Sequence, residues 1–181
     1  DDAASAVAPQ SRPAGPTGPV ARLSFFGGVK AHGRSFVFLI DRSHSMGGEG
    51  LNGISAAEQE LNAALASLEP VHKFQIIAYS EKTLYFSAQG LAQATDQNRQ
   101  LAARYLHGLI AHGGTEHEVA LLAALRLAPD AIFLFTDGGE PPMSQVQLQK
   151  VTLRNGGRAS INVVHFGSGV LQDGDHFLRQ L

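Results

Sequence analysis

Phe36-Val37-Phe38-Leu39-Ile40-Asp41-Arg42-Ser43-His44-Ser45-Met46-Gly47-Gly48 is the stretch that decides the fold of this 181-residue chain. Its first five residues are continuously apolar and partly β-branched, which suits a strand covered on both faces, the condition of a parallel sheet with helices on either side. The run then breaks at an acid, and small polar residues and two glycines follow. Outward from there, Ile54, Ala57, Leu61, Ala64, Leu65 and Leu68 recur at helical spacing, with Pro70 just beyond. Phe74 to Tyr79 is the next predicted strand. Thr83 to Phe86 follows after too few residues for a crossover helix, so the two should pair antiparallel, the second near an edge. Helices are predicted from Asp96 to Leu109 and from Thr115, where Thr115 and Glu118 have the spacing of a capping box and Pro129 supplies the stop. Ile132 to Phe135 is a buried strand. Ser144 opens a helix that runs to about Arg154 with Gly156 and Gly157 behind it, and Ile161 to Phe166 is one more strand. This alternation predicts an α/β fold: a doubly wound, mostly parallel central sheet with one antiparallel edge strand and helices on both faces.

Residues 1–20 differ in kind. They are rich in Ala and Pro, with almost no large apolar side chain, and cannot bury enough surface to offset the entropy of ordering, so they read as a linker. Residues 21–34 read as an extended lead-in whose Phe25 and Phe26 pack on the domain of residues 35–181. The absence of Cys excludes disulfide scaffolds, thiolate zinc sites and thiol nucleophiles. A net charge of −2 with scattered Lys and Arg argues against nucleic acid as a partner. The longest apolar runs fall far short of the roughly 20 residues a membrane helix needs. The compartment stays open, with an extracytoplasmic or envelope-associated setting favoured.

Three loops at the predicted carboxyl edge of the sheet hold small oxygen-bearing residues, and ligands of open α/β sheets collect at that edge. The first strand ends in Asp41-Arg42-Ser43-His44-Ser45, Gly113-Gly114 leads into Thr115, and the strand Ile132 to Phe135 runs into Thr136-Asp137-Gly138-Gly139. Each loop alone has an ordinary explanation, since Asp, Ser and Thr are common turn and helix-cap residues. Together they offer hard oxygen ligands of the kind magnesium takes, which favours near-octahedral oxygen coordination and keeps several waters.

These residues resemble the von Willebrand factor A family, in its bacterial branch, over Phe36 to Leu181. In that family a D-x-S-x-S loop, a distant Thr and a later Asp form a metal-ion-dependent adhesion site, and the matching positions are Asp41, Ser43, Ser45, Thr115 and Asp137. His44 departs from the pattern, which usually has Gly between the two serines. The resemblance implies that Ser43, Ser45 and, in one state, Thr115 touch the metal directly, with Asp41 and Asp137 acting mainly through water. It further implies a Mg (or Mn or Ca) ion that binds an Asp or Glu side chain of a partner protein, as an adhesion or complex-assembly module. By the same resemblance the fold is truncated before its last helix and a final edge strand, since His176 to Leu181 reads as one opening helical turn.

Two other functions stand beside this one. One is a structural domain in which a non-exchanging metal only staples the three loops. The other is an aspartyl phosphotransferase-like enzyme with Asp41 as nucleophile, which needs a second carboxylate two residues on, where this chain has Ser43. Hydrolase and nucleotide-binding readings lack their G-x-S-x-G elbow and Walker loop. The eight histidines show no standard zinc spacing and read as surface or loop residues.

Overall fold

A computed structural model of the chain describes residues 18–48, 50–139, 141–167 and 177–181. Most of the expected linker, residues 1–17, and His176 at the head of the expected last helix lie outside the described residues. The first elements are β1 (Ala21–Phe25) and β2 (Val29–Gly33), an antiparallel hairpin in which Ala21 faces Gly33. The extended lead-in expected over residues 21–34 is thus a paired hairpin. Its turn starts at Phe26 with a φ of 47°, a left-handed conformation that a bulky residue seldom adopts, so the usual turn signal is missing from its first position. Phe25 is fully buried, and its ring meets the edges or faces of Phe38, Phe133 and Phe135 at centroid distances of 6.1, 4.7 and 5.0 Å. Phe26 is half exposed, and its ring meets that of Phe166 edge-on.

The remaining chain runs β3 (Ser35–Asp41), α1 (Gly53–Ala66), β4 (Lys73–Tyr79), β5 (Thr83–Tyr85), β6 (Ala92–Gln93), α2 (Asp96–His107), α3 (His117–Arg126), β7 (Ala131–Thr136), α4 (Gln145–Asn155) and β8 (Ser160–His165). A short 3-10 turn, His44–Met46, follows β3, and another covers Phe177–Arg179. The strand order is β5-β4-β3-β7-β8, with β3, β4, β7 and β8 mutually parallel where they pair. Both β5 and the two-residue β6 run antiparallel to β4, so the expected antiparallel strand is joined by a second, shorter one.

Period-two alternation within unbroken apolar runs divides the interior. Phe36, Phe38 and Ile40 face one core with α1, α2 and the hairpin, whereas Val37 and Leu39 face the other with α3 and α4. The chain leaves β3 toward β4 and later returns to β7 on the opposite side of β3, so strand order reverses between β3 and β7. That reversal parts the loops beyond the two strands and leaves a crevice at their carboxyl ends.

One helix boundary differs from expectation for a tertiary reason. α3 begins at His117, its N-cap is Glu116, and no side chain caps it, so the box of Thr115 and Glu118 does not form. Residues 112–116 are instead tied to the sheet edge: His112 N donates to Arg42 O (2.7 Å), His44 N to Gly113 O (3.1 Å) and Glu116 N to Ser80 O (3.1 Å). Backbone committed to those partners cannot turn helical before residue 117. Glu118 accepts from Gln147 Nε2 (2.9 Å) and pairs with Lys150 Nζ (2.6 Å), which hold its carboxyl below the usual range. A capping box forms at α4, where Ser144 Oγ accepts from Gln147 N and Gln147 Oε1 accepts from Ser144 N.

Candidate functional site: a cradle of oxygens between β3 and β7

Asp41 is the last residue of β3, and the register that sets Ile40 beside Phe135 brings Asp41 next to Thr136. Thr136 Oγ1 donates to Asp41 Oδ2 at 2.6 Å, and Ser43 N donates to Asp41 Oδ1 at 2.9 Å. Both carboxylate oxygens are therefore engaged, and the side chain has no exposure. Burial raises the Asp41 pKa, while the hydrogen bonds from Thr136 and Ser43 oppose the rise. An in-line nucleophile needs an accessible oxygen, so this placement speaks against Asp41 as a phosphoryl acceptor.

The bond from Ser43 N turns the chain into the His44–Met46 turn and points both serine side chains the same way, with Ser43 Oγ and Ser45 Oγ 3.3 Å apart. Met46 is completely buried and anchors the turn. Across the crevice, Asp137 Oδ1 accepts from Gly139 N at 3.0 Å, and Gly138 N donates to Thr136 Oγ1 at 3.0 Å, which folds the loop after β7 back over the strand end.

Gly139 marks where the three loops converge. A Cβ placed there would lie 3.2 Å from Asp137 Oδ1, 3.2 Å from Thr115 Oγ1 and 3.9 Å from Ser45 Oγ. One oxygen from each loop thus borders a space that only a residue without a side chain leaves free. Ser45 is exposed and Asp137 half-buried, whereas Asp41, Ser43 and Thr115 are buried, so the cradle has a closed floor and an open mouth. All five residues singled out from the sequence lie around this crevice.

Behind the floor is a buried polar chain that sequence reasoning missed. Tyr79 Oη and His117 Nδ1 are 2.9 Å apart, and both side chains are buried. Burial lowers the His117 pKa, against the pull of Asp41, and burial raises that of Tyr79 well above its ordinary value. His72 is also internal: its Nδ1 accepts from Glu69 N (2.9 Å), which leaves Nε2 to donate to Pro19 O (2.9 Å). The surface-or-loop reading of the histidines is corrected at His117, which is buried in α3, whereas His72 is buried but sits in the loop ahead of β4. The signal for His117 was its place on the apolar stripe of α3 with Ala120, Leu121 and Ala124. His44 is exposed beside Ser45, and His165 Nε2 meets Asp137 O at 3.1 Å. Among the described residues no three His, Cys, Asp or Glu side chains converge as a metal site. The cradle's donor set is different, two carboxylates and three hydroxyls, and it suits a hard, partly hydrated divalent ion.

Residues 36–140, more than half of the chain, match the von Willebrand factor type A domain. The chain belongs to that family. The match ends at residue 140, short of the Leu181 expected from the sequence. Within the matched stretch lie all five cradle residues of this von Willebrand factor type A domain. The domain is 30% identical over 142 residues to inter alpha-trypsin inhibitor, heavy chain 4, of Mus musculus, covering 71% of this chain and 14% of that protein. It is 38% identical over 91 residues to inter-alpha-trypsin inhibitor heavy chain H6 of Homo sapiens, covering 50% of this chain and 7% of that one. The chain therefore spans only a small part of the relatives it matches. Its fold is shared with a von Willebrand factor type A structure from Catenulispora acidiphila (TM-score 0.62, 23% identity, 74% of this chain and 34% of the other). It is shared also with an aerotolerance-related membrane protein from Bacteroides fragilis (TM-score 0.57, 17% identity, 80% and 76%). A third likeness is to the manganese-loaded TRAP protein of Plasmodium vivax (TM-score 0.56, 20% identity, 80% and 60%). No helix among the described residues is long and apolar enough to cross a membrane.

Proposed function

We propose that this domain is a protein-binding module that works through a divalent cation, magnesium in the first instance and manganese or calcium as substitutes. Ser43, Ser45 and Thr115 supply hydroxyl oxygens, and Asp41 and Asp137 supply the charge around them. The observation that carries this reading is the approach of Asp137, Thr115 and Ser45 oxygens, from three separate loops, to the single side-chain-free position at Gly139. The raised pKa of Asp41 adds support, because burial disfavours its charge, the described residues hydrogen-bonded to it, Ser43 and Thr136, are neutral, and a dication nearby would favour the charged form. A cation held largely by neutral hydroxyls keeps much of its positive field, and the open mouth at Ser45 admits an Asp or Glu side chain of a partner protein.

Millimolar magnesium or manganese is expected to raise the melting temperature and chelation to reverse it, since a ligand bound only by the folded state stabilises by mass action. Thr115 discriminates the finer roles. Its hydroxyl caps no helix, so Thr115→Ala should change metal-free stability by less than the ~1 kcal/mol typical of a lost cap, yet diminish the metal-dependent shift. Thr115→Ser should retain it. Absence of any shift in the wild-type chain would remove the cation from the proposal. A shift unaccompanied by metal-dependent capture of acidic peptides would leave the ion as a staple of the three loops.

A further inference from the structure

The turn that carries Ser45 is also one wall of a groove of about 440 Å³. His44, Met46 and Gly47 line it on that side, α1 contributes Ile54 and Glu58, and the end of α2 with the segment after it contributes His107, Leu109 and Ile110. The groove is braced against the cradle. Arg42 Nη1 donates to Ile110 O (3.1 Å), and Gly47 packs so closely on Ala111 that a Cβ would sit 2.7 Å from the alanine methyl.

Its chemistry is specific. Ile110, 75% exposed, and the half-buried Ile54 give the groove an apolar lining. Among the described lining residues, Glu58 carries the one formal charge at neutral pH. Its side chain is a quarter exposed, and its carboxylate meets the exposed His107 Nδ1 at 3.3 Å. An apolar channel with a carboxylate in its wall fits an amphipathic cation, a Lys or Arg whose aliphatic stem lies on the isoleucines and whose head reaches the acid. A carboxylate guest would be repelled there, and a purely apolar one would leave Glu58 desolvated.

We propose that a partner segment presenting an Asp or Glu to the cradle cation places a Lys or Arg side chain in this groove, so that the domain reads an acidic and a basic residue at fixed spacing. The inference rests on the cation-dependent reading above, because the turn of residues 44–47, which carries Ser45 and lines the groove, sets the two sites side by side.

The test is selection of random displayed peptides on the full chain in magnesium, with elution by chelator. The expected pool carries an acidic residue with Lys or Arg at one preferred offset. For a synthetic peptide of that consensus, Ala at the basic position should weaken binding to the wild type about three- to five-fold, the scale of a solvent-exposed ion pair. In Glu58→Gln the same change should cost less, since only the contact of the aliphatic stem with the isoleucines is then lost. Selection on Glu58→Lys should lose the basic preference and admit an acid at the same offset, with the metal-dependent melting shift unchanged. A chelator-eluted pool with an acidic residue but no basic preference would overturn the groove assignment and leave the cation site standing. So would a basic preference that survives Glu58→Lys. If chelator elutes nothing from the wild type, the cation reading falls and this inference falls with it.

Discussion

At the scale of single residues, the cradle depends on what Gly139 lacks. No left-handed φ is required at this position, so alanine is compatible with the backbone, but its methyl would press within 3.2 Å of both Asp137 Oδ1 and Thr115 Oγ1. Gly139→Ala is expected to leave the fold intact, change stability by no more than about 1 to 3 kcal/mol as small overpacked sites do, and abolish the metal-dependent rise in melting temperature. Thermal denaturation with magnesium and with chelator checks this, and an unchanged metal response in the alanine variant would place the cation elsewhere. The same loop explains why Asp137 looked like a plain turn residue in the sequence. It is one, accepting from Gly139 N, and that bond orients the carboxylate toward the crevice. Asp41 has the same double character, since its bonds to Ser43 N and Thr136 Oγ1 shape the loop that carries the serines.

At the scale of elements, the hairpin β1–β2 is the piece whose role the sequence understated. Phe25 is wedged among Phe38, Phe133 and Phe135 on the sheet face that α1 and α2 also cover, and so closes that core. Phe25→Ala should destabilise the domain by about 3 to 5 kcal/mol, the range for removing a buried aromatic ring, measured from the denaturant midpoint at unchanged m-value. A loss below about 1 kcal/mol would mean that the hairpin is an appendage, as an extended lead-in would be. α3 teaches the complementary lesson. Thr115 and Glu118 carry a good local start signal, yet the backbone up to Glu116 is bonded to Arg42, His44 and Ser80. Non-local partners displaced the cap, and the freed Thr115 hydroxyl faces the cradle.

For the whole molecule, the sheet edge at β5 is stitched to α2 by one phenol. Tyr105 Oη donates to Leu84 O at 2.7 Å and accepts from Ala78 N at 3.4 Å, and burial pushes its pKa up to about 12. An unfolded tyrosine loses its proton near pH 10, so between about pH 10 and 12 the unfolded state binds fewer protons than the folded one and stability falls as pH rises. Tyr79 acts with the same sign. The wild type should therefore lose more stability than Tyr105→Phe across that window, as read from denaturant midpoints at each pH. Parallel curves would show that the stitch is open in solution. The order of strands and helices, the buried parallel sheet and the identity of five oxygen-bearing residues at its carboxyl edge were legible in the sequence. The fold follows from short-range periodicity and turn composition, and the five residues from the resemblance to a family motif. The hairpin was hidden by a phenylalanine at positive φ, the start of α3 by hydrogen bonds to residues some 36 to 70 positions away, and the burial of His117 by the partner, Tyr79, that awaits it across the core. Above all, the convergence of Ser45, Thr115 and Asp137 on the space over Gly139 belongs to the tertiary structure alone. It exists because strand order reverses between β3 and β7 and sets three loops, distant in the chain, around one crevice.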